Sequence, residues 1–94
     1  SVKVLQIWGF YKLKILYFAE LKQIIGKSHE DVNLSKKMKV LDVINLLKKK
    51  DKIYIKAFAN LKNIKCAVNC EYSSFTKEVV NKDEIAFFPP VTGG

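Results

Sequence analysis

The side chains that most often carry chemistry are sparse in this chain, which has one histidine, two cysteines and nine carboxylates. His29 lies in the polar run Gly26-Lys27-Ser28-His29-Glu30-Asp31, with no second His or Cys nearby to activate, and reads as an exposed loop residue. Cys66 and Cys70 stand four apart. Structural zinc takes four ligands, commonly at two-residue spacings, so no metal site is expected. The two thiols read instead as small buried hydrophobes of a reducing cytosol. Neither a Walker loop nor a catalytic triad is present.

The distinctive chemistry is at the end, DEIAFFPPVTGG. Pro89-Pro90 stiffens the exit from the preceding segment and directs it outward. Val91 and Thr92 follow, and Gly93-Gly94 then brings a carboxylate forward on a slender approach that can enter a narrow pocket in another protein. A carboxylate is a poor electrophile. Adenylation by ATP makes it a mixed anhydride with a good leaving group, and sulfur can then displace AMP to leave a nucleophilic thiocarboxylate. This chain has no apparatus for the ATP step, so it reads as a carried substrate rather than a catalyst.

Composition supports that modest role. Ninety-four residues make one domain with a feasible core but no roomy active-site cavity. No run of 18 apolar residues exists to span a membrane, and a cytoplasmic location is expected. The net charge of +8 comes from 17 lysines and no arginine. Specific nucleic-acid surfaces recruit Arg for bidentate and stacking contacts, so no specific nucleic-acid partner is expected.

The elements that must position the tail can be read in order. Residues 1–11 look like an extension, native or appended, with Trp8 on an arm. KLKILYF at 12–18 alternates and then becomes continuously apolar, as a central strand does. AELKQII is a helix stopped by Gly26, and a short strand is expected at 31–34. VLDVINLLKKK at 40–50 is the main helix. Val40, Val43, Ile44 and Leu47 form its stripe, Leu41 and Leu46 widen it, and Lys48–Lys50 suit its C-terminal dipole. IYIKAFANL leans toward helix. Ile64 to Asn69 is a strand, and Glu71 to Thr76 a turn with a short strand. EIAFF is the last strand, with Ile85 and Phe87 on one face and Ala86 and Phe88 on the other. The order predicts an α+β chain, a small curled mixed sheet packed against one main helix.

KILYFAELKQIIG, VLDVINLL, CAVN and DEIAFFPPVTGG together resemble the small subunits of molybdopterin synthase, the MoaD-type sulfur carriers of the ubiquitin-like β-grasp family. The resemblance covers nearly everything from Lys12 onward. It implies a β-grasp domain at 12–88 and a protruding tail at 89–94, Pro89, Pro90, Val91, Thr92, Gly93 and Gly94, that inserts into the large synthase subunit. It also implies that Gly94 is adenylated and then carries the sulfur as 1-thioglycine, and that Phe88 docks the partner. The implied partners are the large subunit, in an assembly of two large and two small subunits, an adenylyltransferase like those that activate ubiquitin, and a sulfur donor system. ATP would be consumed by the activating partner, no cofactor would be bound stably, and the sulfur would go to cyclic pyranopterin monophosphate. Carriers for thiamine thiazole or tRNA thiolation share the final glycines, but DEIAFFPPV argues against them. A ubiquitin-like protein modifier is a further alternative. Two positions depart from the family. Lys82 stands where Gly is common, implying positive φ or a different turn at a cost of about 1 kcal/mol. Lys39 replaces a Ser or Thr helix cap, a loss of about 1 kcal/mol.

Overall fold

The computed structural model describes residues 11–90. The extension before Tyr11, with Trp8, and the end Val91–Gly94 lie outside the described residues. Alternation in LKILY puts Leu13, Ile15 and Tyr17 inside and Lys14 outside, forming β1 (Leu13–Tyr17). Helix α1 (Ala19–Ile25) buries Leu21 and Ile25 and stops at Gly26, whose φ of +85° closes the end with an N–H bond to the Lys22 carbonyl at 2.8 Å. Space around Gly26 is open, so glycine is favoured there by the backbone angle alone.

Strand β2 (His29–Val32) runs antiparallel to β1. It begins two residues earlier than the pattern predicts, and His29 lies on this strand, exposed. The two-residue strands β3 (Met38–Lys39) and β6 (Glu78–Val79) pair as a separate ribbon that the sequence reading missed. Between them in the chain are helices α2 (Val40–Lys50) and α3 (Lys52–Ala57), a 3₁₀ turn at Leu61–Asn63, and strands β4 (Lys65–Val68) and β5 (Glu71–Ser73). Strand β7 (Glu84–Phe88) comes last.

The five-stranded sheet has the order β2-β1-β7-β4-β5. Strand β7 pairs parallel with β1 and antiparallel with β4, so the last strand in sequence sits in the middle of the sheet. Its Ile85 and Phe87 are fully buried against the helices. Phe87 meets Phe58 edge-on at 5.0 Å and stacks on Tyr17 at 6.3 Å. Val40, Val43, Ile44 and Leu47 of α2 are buried as expected, but Leu41 and Leu46 are exposed, so the apolar stripe is narrower than predicted.

Tertiary contacts replace local signals at several points. Lys39 offers no side-chain acceptor to α2, yet the helix start is satisfied. The Lys77 and Phe75 carbonyls accept from the Val40 and Leu41 amides, each at 2.9 Å, and Asp42 accepts from the Lys39 amide at 3.1 Å. The cap expected to be lost at Lys39 is thus supplied by the loop that the β3–β6 ribbon holds over the helix. Asp51, between the helices, accepts from the Ile53 amide at 2.9 Å.

Asn69 and Cys70, with φ of 52° and 71°, form a two-residue hairpin turn between β4 and β5. Both angles positive is the type I′ pattern, for which Cys70 is an unfavourable residue. Lys82 has φ of 91°, the positive-φ outcome expected from its departure. Asp83 holds this turn by accepting from the Val80 amide at 2.8 Å and from Asn69 Nδ2 at 3.0 Å. The Lys82 ammonium lies 4.8 Å from the centre of the Tyr11 ring.

An unforeseen polar cluster ties β1, β2 and α3 together. The Tyr17 and Tyr54 hydroxyls both donate to Glu30 Oε2, at 2.6 and 2.5 Å, and Lys27 lies 3.5 Å from Glu30 Oε1. Burial pushes the Glu30 carboxyl up, but the two hydroxyls and the charges of Lys27 and Lys50 together bring it below its ordinary value. Burial first, and then the adjacent carboxylate, push both tyrosines up.

Two stability predictions follow from these contacts. A depressed Glu30 contributes stability that is present above its unfolded pKa of 4.5 and lost as pH falls through the lower folded value. Tyr17→Phe should therefore cost about 1.5–3 kcal/mol at neutral pH. That cost should shrink in denaturant titrations below pH 4.5, and a pH-independent cost would contradict the charge-assisted reading. Lys82→Gly should relieve about 1 kcal/mol of backbone strain, offset by roughly 0.5 kcal/mol of lost cation–π attraction. The net effect is a rise of about 2–4 °C in thermal midpoint. A lower midpoint would show that residue 82 is unstrained.

Candidate functional site

The site grows from the alternation of β7. With Ile85 and Phe87 inside, Ala86 and Phe88 face outward on the open side of the sheet. Register then builds a row across four strands, in which Leu16 pairs with Ala86, Ala86 with Ala67 and Ala67 with Tyr72. Two adjacent alanines leave a shallow depression walled by Phe18, Tyr72 and Phe88 and bordered by Pro89. Tyr72 is 80% exposed and Phe18 48%, while Phe88 is half-buried. The Phe88 ring meets Tyr72 edge-on at 5.7 Å. Phe18 is fixed beside them, its amide donating to the Phe87 carbonyl at 3.1 Å. Large aromatic side chains held on a rigid sheet and left in water are suited to anchoring a protein partner.

Pro89 and Pro90 leave this face exposed to solvent. The structure thus places Phe88 and the first two tail residues together at one end of the sheet. Val91, Thr92, Gly93 and Gly94 lie outside the described residues. Phe18 and Tyr72 were missed in the sequence reading. The alternation that put Phe88 outward would also have found Phe18, two residues beyond Leu16. Tyr72 required the short turn at Asn69-Cys70 to be recognised and its register counted.

The other candidate groups do not converge. His29 is exposed, its Nδ1 3.0 Å from the Ser28 hydroxyl. Cys66 is buried and bonds to the Ser73 carbonyl at 3.3 Å, and burial pushes its thiol pKa up. Cys70 is exposed, which corrects the expectation of two buried thiols; the two-residue turn turns its side chain out beside the depression. Among the described residues no group of three or more His, Cys, Asp or Glu could hold a metal ion.

The two faces of β7 predict opposite phenotypes. Phe87→Ala should cost about 3–5 kcal/mol of stability by opening the core. Phe88→Asp should leave the fold within about 1 kcal/mol while abolishing apolar docking to a partner. Equal loss of stability in the two variants, measured by chemical denaturation, would refute the division of the strand into core and docking faces.

The chain has relatives among known proteins. The ThiS family model matches residues 15–94. The molybdopterin synthase sulfur carrier subunit of Dictyostelium discoideum is 36% identical over 85 residues, covering 88% of this chain and 96% of that protein. The crystal structure of SAMP1 from Haloferax volcanii superposes with a TM-score of 0.68 at 23% identity, covering 88% of this chain and 99% of that one. Subunits 1 and 2 of the molybdopterin-converting factor of Helicobacter pylori form a solved complex. A chain of it matches with a TM-score of 0.58 at 18% identity, covering 87% of this chain and 97% of its own length. These two structures bear on the fold alone, which is the ubiquitin-like β-grasp. The family match also removes the sequence-based argument against thiazole carriers, because it does not separate them from the molybdopterin branch. The chain belongs to the ThiS family, as a β-grasp sulfur-carrier protein related both to it and to the molybdopterin synthase carriers.

Proposed function

We propose that this chain is a non-catalytic carrier that delivers sulfur as a C-terminal thiocarboxylate to a pterin or thiazole cofactor precursor. The observation that supports this most directly is the exit of central strand β7. It passes from the outward Phe88 to the exposed Pro89-Pro90, with Val91-Thr92-Gly93-Gly94 still to follow. The Gly94 carboxylate attacks the α-phosphate of ATP within an adenylyltransferase, releasing pyrophosphate. A sulfur donor then displaces AMP, and the Gly94 thiocarboxylate is the nucleophile in the acceptor step. The side-chain-free Gly93 and Gly94 let the end enter a narrow partner site, while Phe18, Tyr72 and Phe88 hold the domain on the partner.

Two acceptors fit. The pterin reading, in which two charged carriers convert cyclic pyranopterin monophosphate to molybdopterin on a large synthase subunit, is favoured by the relative from Dictyostelium discoideum. The complex of the two Helicobacter pylori subunits offers a precedent for such a partner. The thiazole reading is favoured by the family model that spans residues 15–94.

Intact-mass analysis after incubation with the adenylyltransferase, ATP and a sulfur donor should show a gain of about 16 Da, oxygen replaced by sulfur. Deleting Gly94 should abolish that gain without altering the circular dichroism spectrum. Persistent charging of the truncated chain would overturn the role of Gly94. The charged carrier is then offered to each reconstituted synthase, and the one that consumes the thiocarboxylate identifies the acceptor.

A further inference from the structure

Positive charge is concentrated in one stretch of this fold. Residues 48–65 hold seven lysines against one aspartate, six of the eight net positive charges in eighteen residues. Asp51 directs its carboxylate to the Ile53 amide. The two ion pairs among the described residues, Lys27–Glu30 and Lys37–Glu78, involve none of the seven. Six of them are exposed, and Lys48 is half-buried. The dipole of α2 accounts for Lys48–Lys50 at its end. It does not account for Lys65, which opens a strand.

Two of these lysines line clefts that reach the prolines at the root of the tail. Lys56 lines a cleft between α1 and α3 together with Asn60, Asn63 and Pro89. Glu20 borders the same cleft without an ion pair to Lys56. Lys65 pairs in register with Phe88 and lines the neighbouring groove with Tyr72, Ser74 and Pro90. One ammonium thus stands on the helical side of the prolines and the other on the sheet side, at the edge of the aromatic patch.

Resting on the carrier reading above, we propose that Lys56 and Lys65 form a basic collar around the tail root. The collar docks against an acidic rim at the tail-receiving opening of the adenylyltransferase, the partner that both acceptor readings require. Exposed charges of this kind mainly accelerate encounter and set orientation, and salt weakens them. A protein surface fits the collar better than RNA, because every cation is Lys and the collar borders an apolar docking face.

Stopped-flow association with the adenylyltransferase of the same organism tests the collar at about 20 mM and about 500 mM salt. The double variant Lys56→Glu/Lys65→Glu should associate roughly tenfold more slowly than wild type at low salt and nearly equally at high salt. A control with the same net charge, Lys12→Glu/Lys36→Glu, alters lysines that line neither cleft and should lose less than about threefold. Lys56→Gln/Lys65→Gln should lie between wild type and the charge reversal, with unchanged circular dichroism in all variants. Equal slowing by the collar and control pairs would overturn the collar while leaving the carrier reading intact, provided wild type still gains sulfur by mass. Wild type that neither associates nor becomes charged would sink the carrier reading and the collar with it. Tighter binding of a polyuridine oligonucleotide than of the enzyme at physiological salt would also overturn the proposal and assign the lysines to RNA.

Discussion

The burial of Phe87 on the middle strand of the sheet is the contact on which the remaining geometry depends. Its ring packs against both Phe58 and Tyr17, joining the sheet to the residue that caps the end of α3. Because strand side chains alternate, placing Ile85 and Phe87 inside obliges Ala86 and Phe88 to face out. A slip of one residue would carry Phe88 inward and expose Phe87, at a cost of several kcal/mol of lost apolar burial. The same contact that stabilises the core therefore aims the exposed aromatic face and the direction in which Pro89 departs.

Several acidic groups serve the fold as hydrogen-bond acceptors. Asp42 and Asp51 satisfy backbone amides at helix starts, Asp83 ties the turn before β7, and Glu30 receives two tyrosine hydroxyls. Of these four carboxylates Glu30 alone is ion-paired, to Lys27, so most of the lysines stay without an ion pair among the described residues. The carboxylates thus act on the fold mainly as hydrogen-bond acceptors, and exposed ion pairs contribute little.

This architecture suits a protein whose reactive group belongs inside a partner. A small β-grasp domain has no space for a large enclosed cavity, and its described face instead offers a shallow aromatic depression beside a rigid exit. Rigid placement matters, since a mobile anchor would lose binding free energy to side-chain and backbone ordering. The strained turns at Asn69-Cys70 and Lys82 lie in the connections that enter β5 and β7. With Ala19, which opens α1 at φ 52°, these positive-φ residues all stay out of the paired strands, which keep extended geometry.

Much of this was legible in the order of residues. The strand at Leu13–Tyr17, the helices Ala19–Ile25 and Val40–Lys50, the Gly26 stop and the two faces of EIAFF follow from local periodicity and backbone preference. The final glycines and the paired prolines, as residue types, are what raise the carrier reading without any coordinates. What periodicity could not contain was contact between distant segments. The β3–β6 ribbon joins residues about forty apart, and it supplies to α2 the cap that Lys39 cannot. The Glu30 cluster unites three elements, and the exposure of Leu41 and Leu46 depends on what packs beside α2. The residue types of the tail and the alternation of the last strand are local and need no tertiary contact. That Phe18, Tyr72 and Phe88 meet on one face beside Lys65 is instead a matter of register between strands far apart in the chain, which local pattern does not contain.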